Sequence, residues 1–392
     1  MEQHLYALAQ SGVARENIVI INFADERLAG MQKENWADLY EAYYSMYPQK
    51  RFREKVYFCF DEVQMQPCWE LFVERLRREE NCEIYITGSS ANMLSREIHT
   101  ALRGRTLTWE LFPFSFGEYL ERRGITRSGR STSHRMQVMH AWQSYKEEGG
   151  FPEAFGQQAD WRRRLFQDYF DALLYRDVID RYNISQPVVL RQLARRMLGS
   201  IGSRFSVNKV CNDFRSQGLS VGKETLLQYI EWLEDAYFLF SVPSCTPSVN
   251  ERFRQMSKIY CIDHALAHTF QATFSNREGQ SLENMVYLAL RRISSEVYYY
   301  TTEKRLEVDF LAVEPASKRK LLIQVCADMS APETRNRELR ALQAAMEETG
   351  IPAAYVVTEG TPESIRTPQG TIHLVSAPHF LSLTNPWDIE KQ

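Results

Sequence analysis

The sequence predicts an α/β protein built on a parallel sheet, and three observations carry that expectation. Short runs of β-branched and aromatic residues, 18-IVIINF-23, 55-KVYFCF-60 and 83-EIYIT-87, recur through the first third of the chain. Stretches with apolar residues at helical spacing separate them. The runs are largely apolar rather than strictly alternating, which suits strands covered on both faces.

The elements follow in order. Residues 2–11 place Leu5, Leu8 and Ala9 at helical spacing. The first strand, 18–23, ends in polar residues, and a helix surrounds Trp36 to Tyr47. The second strand ends at Asp61 and Glu62, a helix runs from Trp69 to Arg78, and the third strand, 83–87, leads into the turn 88-GSS-90. After 102-LRGR-105, the run 106-TLTWEL-111 is predicted to be a fourth strand. Ser115 followed by Glu118 reads as a capping box that opens a short helix. A linker rich in Gly, Ser, Thr and Arg lies at 124–135, and 149-GGFP-152 breaks the chain again. Residues 160–240 read as nearly all helical. There 205-FSVNKVCNDFRSQG-218 ends at Gly218, and 220–239 carries a stripe of Leu226, Ile230, Leu233 and Tyr237. Helix, glycine-containing turn, helix is a helix-turn-helix layout. The remainder mixes strands at 297–301, 306–313, 321–327 and 353–358 with helices near 280–292 and 333–348. Domains are therefore expected at 1–123, 136–245 and 255–392.

Composition narrows the class. The 392 residues are 44% apolar and 25% charged, the balance of a globular protein, which excludes disorder across the whole chain. A net charge of −3 excludes a strongly basic nucleic-acid coat but not a local patch. No apolar run reaches the roughly 18 residues of a membrane span, and the first residues do not read as a secretion signal. Seven widely spaced cysteines without a CxxC pair point to reduced thiols in the cytoplasm.

The residues with most chemical content lie at strand ends. The run 56-VYFCFDEVQ-64 delivers two adjacent carboxylates to the C-terminal edge of a strand, where open α/β sheets bind ligands. Ser89 follows the next strand, and Arg103 and Arg105 follow further on. A guanidinium suits phosphate because its planar fork donates in pairs.

These residues carry a resemblance. The runs NFADERL, FDEVQ, TGSSANMLSREIHTALRGRT, ELFPFSFGEYL, GGFPEAF, LYRDVIDRY, KIYCIDHALAH, GQSLENMVY, EVDF and LIQV occur in order along the chain. Together they resemble the prokaryotic ATPases of the AAA+ superfamily that carry a C-terminal domain of unknown function. The resemblance implies a P-loop NTPase-like sheet, a helical winged-helix-like middle segment and a C-terminal restriction-endonuclease-like domain. Carried over by position, it implies that Asp61 holds Mg²⁺, Glu62 polarises the attacking water, Ser89 senses the γ-phosphate, and Arg103 or Arg105 meets phosphate. One feature departs from the family: the sequence contains no GxxxxGK[ST], the loop that grips the phosphates. Residues 1–11 resemble the helix that follows that loop, so the sheet is expected to lack its first strand. ATP and Mg²⁺ are expected only where the loop is present. The expectation is an ATPase whose loop precedes Met1, or else a catalytically dead remnant that binds DNA or a protein.

Further along, Glu283 falls in a helix, Glu307 and Asp309 share one face of a strand, and the next strand carries 323-IQVC-326. This resembles the D…ExK layout of restriction-type nucleases, with Gln324 in place of the second acid and Cys326 in place of the lysine. An amide ligates Mg²⁺ poorly and a neutral thiol cannot replace an ammonium, so this site is expected to be degenerate and inactive. Residues 160–215 hold eleven Lys or Arg against six Asp, which could bind DNA without sequence preference, yet arginines paired with those aspartates explain them as well. His264 and His268 are expected to be packed or solvated, the Tyr298–Tyr300 run to be strand residues, and Arg335 and Glu338 to form a solvated helix face. An oligomer is compatible with the family, and no membrane partner is expected.

Overall fold

The computed structural model describes residues 1–28, 30–32, 35–88, 106–129, 131–245, 256–271 and 277–391. They form two compact units, Met1–Glu110 and Leu111–Gln392.

The first unit is a three-stranded parallel sheet in the order β1-β2-β3: β1 Ile18–Asn22, β2 Val56–Asp61 and β3 Cys82–Ile86. Helices α1 (Glu2–Gln10), α2 (Trp36–Met46) and α3 (Trp69–Glu79) accompany it. Central β2 is buried on both faces, as its unbroken apolar run requires. Phe58 and Phe60 meet Trp36, Tyr43 and Phe72, while Cys59 lies with Leu5 and Ile18 in a separate cluster. Residues 106–111 do not form the expected fourth strand. Leu107, Trp109 and Leu111 are 80%, 79% and 98% exposed, and among the described residues no neighbouring strand pairs with them. A strand without a ladder partner leaves its backbone groups to water.

The second unit opens with α4 (Phe116–Arg122), whose Ser115 and Glu118 form the reciprocal capping box. Helices α5 (Thr132–Glu148), α6 (Ala159–Ala172), α7 (Pro187–Leu198), α8 (Val207–Ser216) and α9 (Lys223–Asp235) follow. A π-helix, Leu173–Asp180, extends α6. The nearly all-helical reading of 160–240 needs correction. Helix α9 stops at Asp235, Tyr237 turns left-handed (φ 54°), and Leu239–Val242 becomes strand β5. The apolar run 238-FLFSV-242 is consumed by pairing rather than by a helical stripe. With β4 (Arg204–Phe205) and β6 (Ser257–Cys261), β5 makes an antiparallel sheet ordered β4-β6-β5.

After α10 (His264–Phe270) and α11 (Arg277–Arg291) comes a six-stranded mixed sheet ordered β11-β12-β10-β9-β8-β7. Its strands are β7 Val297–Thr301, β8 Glu307–Val313, β9 Lys320–Val325, β10 Ala353–Thr358, β11 Glu363–Thr367 and β12 Gly370–Ser376. Helix α12 (Pro332–Thr349) packs Leu342, Ala345 and Met346 onto one face, against Val308, Leu322 and Val356. Phe310, Ile323 and Val357 belong to the other core with α11 and α13 (Ala377–Ser382). The two sheets of this unit meet beyond β5, where Cys245 N–H donates to Tyr299 O (2.7 Å) and Tyr299 N–H donates to Pro243 O (3.1 Å).

Candidate functional site

Two places gather the residues singled out by sequence. The first is the C-terminal edge of β2. Asp61 is the last residue of the strand and stands opposite Asn22 of β1. The Thr87 hydroxyl donates to Asp61 Oδ1, and Val63 N–H donates to Thr87 O (3.3 Å), so the end of β3 holds the acid in place. Among the described residues that is the one hydrogen bond of the Asp61 carboxylate. Glu62 adopts left-handed backbone (φ 52°), an uncommon state for a residue with a Cβ, and its carboxylate accepts from the Gln64 amide. Both carboxylates are partly exposed at the end of the parallel sheet. Ser89, Arg103 and Arg105 lie outside the described residues.

The second place is a buried ion cluster in the other unit. Lys258, on β6, is only 3% exposed at its side chain. Its Nζ meets Asp309 Oδ1 at 2.8 Å, Glu307 Oε1 at 2.8 Å and Glu283 Oε1 at 3.0 Å. The Tyr260 hydroxyl, two residues along the same strand, donates to Glu283 Oε1 (2.7 Å). Arg204 Nε donates to Glu307 Oε2 (2.7 Å), and Val325 N–H to Asp309 Oδ2 (2.9 Å). Burial alone would lower the Lys258 ammonium, but Asp309, Glu283 and Glu307 outweigh it and hold the group well above its usual value.

Glu283 and Asp309 are thus brought together around Lys258, whereas Gln324 and Cys326 make other bonds. Gln324 Oε1 accepts from Asp309 N–H (3.2 Å), and its amide donates to Glu338 Oε2 (2.8 Å). The Cys326 thiol donates to Asp328 O (3.1 Å), and burial pushes it up to about 11, so it stays neutral. Glu338 corrects the solvated-face reading. It is buried beneath Gln324 and Arg337, the latter donating through Nε at 3.0 Å, while Arg335 pairs with Glu363 (2.6 Å). Sequence reasoning missed Lys258, Tyr260 and Arg204. The available signal was a lysine embedded in the apolar run 258-KIYCI-262, with Tyr260 on the same face. Among the described residues no group of three or more His, Cys, Asp or Glu side chains is arranged to hold a metal ion.

The histidine pair is structural. His264 is buried and hydrogen-bonded to Tyr145 O (2.9 Å), and His268 pairs with Ser281. Asp263 caps α10 by accepting from Ala265 and Leu266 N–H (both 2.9 Å) and also takes Gly150 N–H (2.6 Å). Five arginines of the basic stretch bind acids: Arg162 to Glu147, Arg163 to Asp160, Arg191 to Asp171, Arg196 to Asp213 and Arg204 to Glu307.

A three-stranded parallel sheet in the first unit is consistent with a P-loop-like domain, and comparison with known proteins gives the family. Residues 3–120 match the AAA domain family, residues 139–277 match a domain of unknown function (DUF8612), and residues 278–380 match another (DUF4143). Uncharacterized protein MJ1544 of Methanocaldococcus jannaschii is 30% identical over 339 residues, which span 85% of this chain and 74% of that protein. The chain belongs to the same family as that archaeal protein, an AAA-like ATPase family. An uncharacterized protein of Haemophilus influenzae is 26% identical over 305 residues, 78% of this chain and 74% of its own length. The crystal structure of protein VC1899 from Vibrio cholerae aligns with 86% of this chain and 91% of its own at 13% identity and a TM-score of 0.19.

Proposed function

We propose that this chain is an AAA+-type ATPase-family protein whose nucleotide chemistry centres on Asp61 and Glu62, and that these 392 residues alone do not hydrolyse ATP. The observation that carries the reading is the pinned Asp61 beside left-handed Glu62 at the end of the central strand. Asp61 would hold Mg²⁺, directly or through water, and the ion would supply neutralisation of phosphate charge. Glu62 is the group suited to draw a proton from water. The phosphate grip is a different requirement. It needs a row of backbone N–H donors and a lysine, and no GxxxxGK[ST] occurs in the sequence. The test is ATP turnover by the purified chain. The expected outcome is no turnover above buffer, and no difference between wild type and Glu62→Gln. Robust hydrolysis that Glu62→Gln abolishes overturns the reading.

A second reading, a binding module, rests on α7, β4, α8, α9, β5 and β6, whose order and β4-β6-β5 pairing fit a winged helix. The exposed face of α9 carries Lys223, Glu224, Leu227, Gln228 and Glu231, and three arginines of the basic stretch pair with aspartates of the same stretch. That surface favours a protein partner over DNA. The six-stranded sheet with helices on both faces fits a restriction-endonuclease-like fold. It lacks cutting activity in this reading, because Gln324 is committed to Asp309 and Glu338, and Cys326 is a neutral thiol. A cytoplasmic location is supported by seven free cysteines. Among the described residues no helix is long and apolar enough to cross a membrane.

A further inference from the structure

The ion cluster joins two parts of the second unit that are far apart in sequence. Lys258 and Tyr260 come from β6, and Arg204 comes from β4; all three belong to the small antiparallel sheet. Glu283 comes from α11, and Glu307 and Asp309 come from β8 of the six-stranded sheet. An ammonium has three N–H bonds, and three carboxylates surround this one at 2.8–3.0 Å. Three carboxylates converging on one buried point repel one another unless a cation lies between them. With the ammonium in place these acids are not arranged to hold a metal ion, and only its removal would free their oxygens for a divalent cation. Gly202 lets the small sheet approach: a Cβ there would lie 2.9 Å from Glu283 Oε2.

We propose that Lys258 is the resident cation of this carboxylate pocket, a clasp delivered by β6 that closes the pocket to metal ions and fixes the β4-β6-β5 sheet to the six-stranded sheet. Tyr260 and Arg204 complete the clasp by donating to Glu283 and Glu307. The inference is independent of the ATP reading, since none of its residues lies in Met1–Glu110.

The test uses the full chain as wild type, Lys258→Met, Asp309→Asn and the double variant. Mn²⁺ binding at about 1 mM is followed by electron paramagnetic resonance and scored as the part that Asp309→Asn removes, which separates it from Mn²⁺ held elsewhere. Wild type should show none, and Lys258→Met should gain such binding. Without metal, Lys258→Met should lower the melting midpoint by roughly 5 °C or more and speed hydrogen exchange of the β6 amides at least tenfold. Mn²⁺ should restore part of both. Wild-type Mn²⁺ binding that depends on Asp309, or Lys258→Met with unchanged melting and exchange, overturns the proposal. Should Lys258→Met not fold, wild type and Asp309→Asn still decide it, because equal Mn²⁺ binding upholds a closed pocket and a difference refutes it.

Discussion

Glu283 shows how an environment can reverse the habits of a side chain. Burial raises its carboxyl from 4.5 to about 7, and the Asp309 charge adds to the rise, while Lys258 and Tyr260 pull the other way. An acid raised on folding contributes stability that is complete below its unfolded value and is lost as pH climbs through its folded value. That part of the stability therefore declines between about pH 4.5 and about pH 7, by at most about 1.4 kcal/mol per pH unit. Glu283→Gln is uncharged throughout and should flatten this component. Urea midpoints collected across the range for both proteins check it; parallel pH profiles would contradict the assignment. Glu307 behaves in the ordinary sense. Burial opposes its ionisation, but Lys258 and Arg204 hold it below the usual carboxylate range, so its contribution fades only as pH falls through that lowered value.

At the scale of elements, the loop 149-GGFP-152 shows why two glycines stand together. Gly149 has φ 76°, and a Cβ there would lie 2.5 Å from Asp263 Oδ1. A Cβ on Gly150 would lie 2.4 Å from Phe114 O, whose residue also donates its N–H to Gly150 O (2.7 Å). Backbone held by such a bond cannot move aside, so Gly150→Ala should cost about 1–3 kcal/mol or prevent folding. Thermal melts of the variant test this, and a wild-type midpoint would show that the loop yields. Much of this level was legible from sequence: the three parallel strands, the capping box at Ser115 and the alternation of Glu307 with Asp309. Other features were not. Leu107, Trp109 and Leu111 alternate as a strand would, but alternation does not supply a ladder partner. Leu239 and Phe240, the start of β5, read as the end of a helix because short apolar runs look alike in either state. Lys258 escaped because a strand's own pattern gives no notice of which distant acids will surround it, and Glu338 escaped for the same reason on α12.

Across the whole molecule, charge bears on the proposed choice between a protein and a nucleic-acid partner. The net charge is −3, the arginines of 160–215 include five engaged with carboxylates, and the exposed residues of α9 include Glu224 and Glu231. Plasmid incubated with the protein and Mg²⁺ or Mn²⁺ should remain uncut, and any gel shift at low salt should vanish by about 0.2 M salt. Cleavage lost in Asp309→Ala, or a sequence-specific footprint that survives this salt, would count against both the nuclease and the DNA conclusions.

The pairing of residues 243–245 with Tyr299 also has a meaning for solubility. A six-stranded sheet has two rims, and each could recruit a second molecule strand by strand. At the β7 rim, the chain spends its own segment as a stopper. The opposite rim, β11, is short and mostly exposed, with Glu363 and Arg366 among its five residues. Strand-by-strand recruitment at the β7 rim would have to displace the chain's own backbone at Tyr299, whereas the opposite charges of Glu363 and Arg366 set no such barrier at the β11 rim.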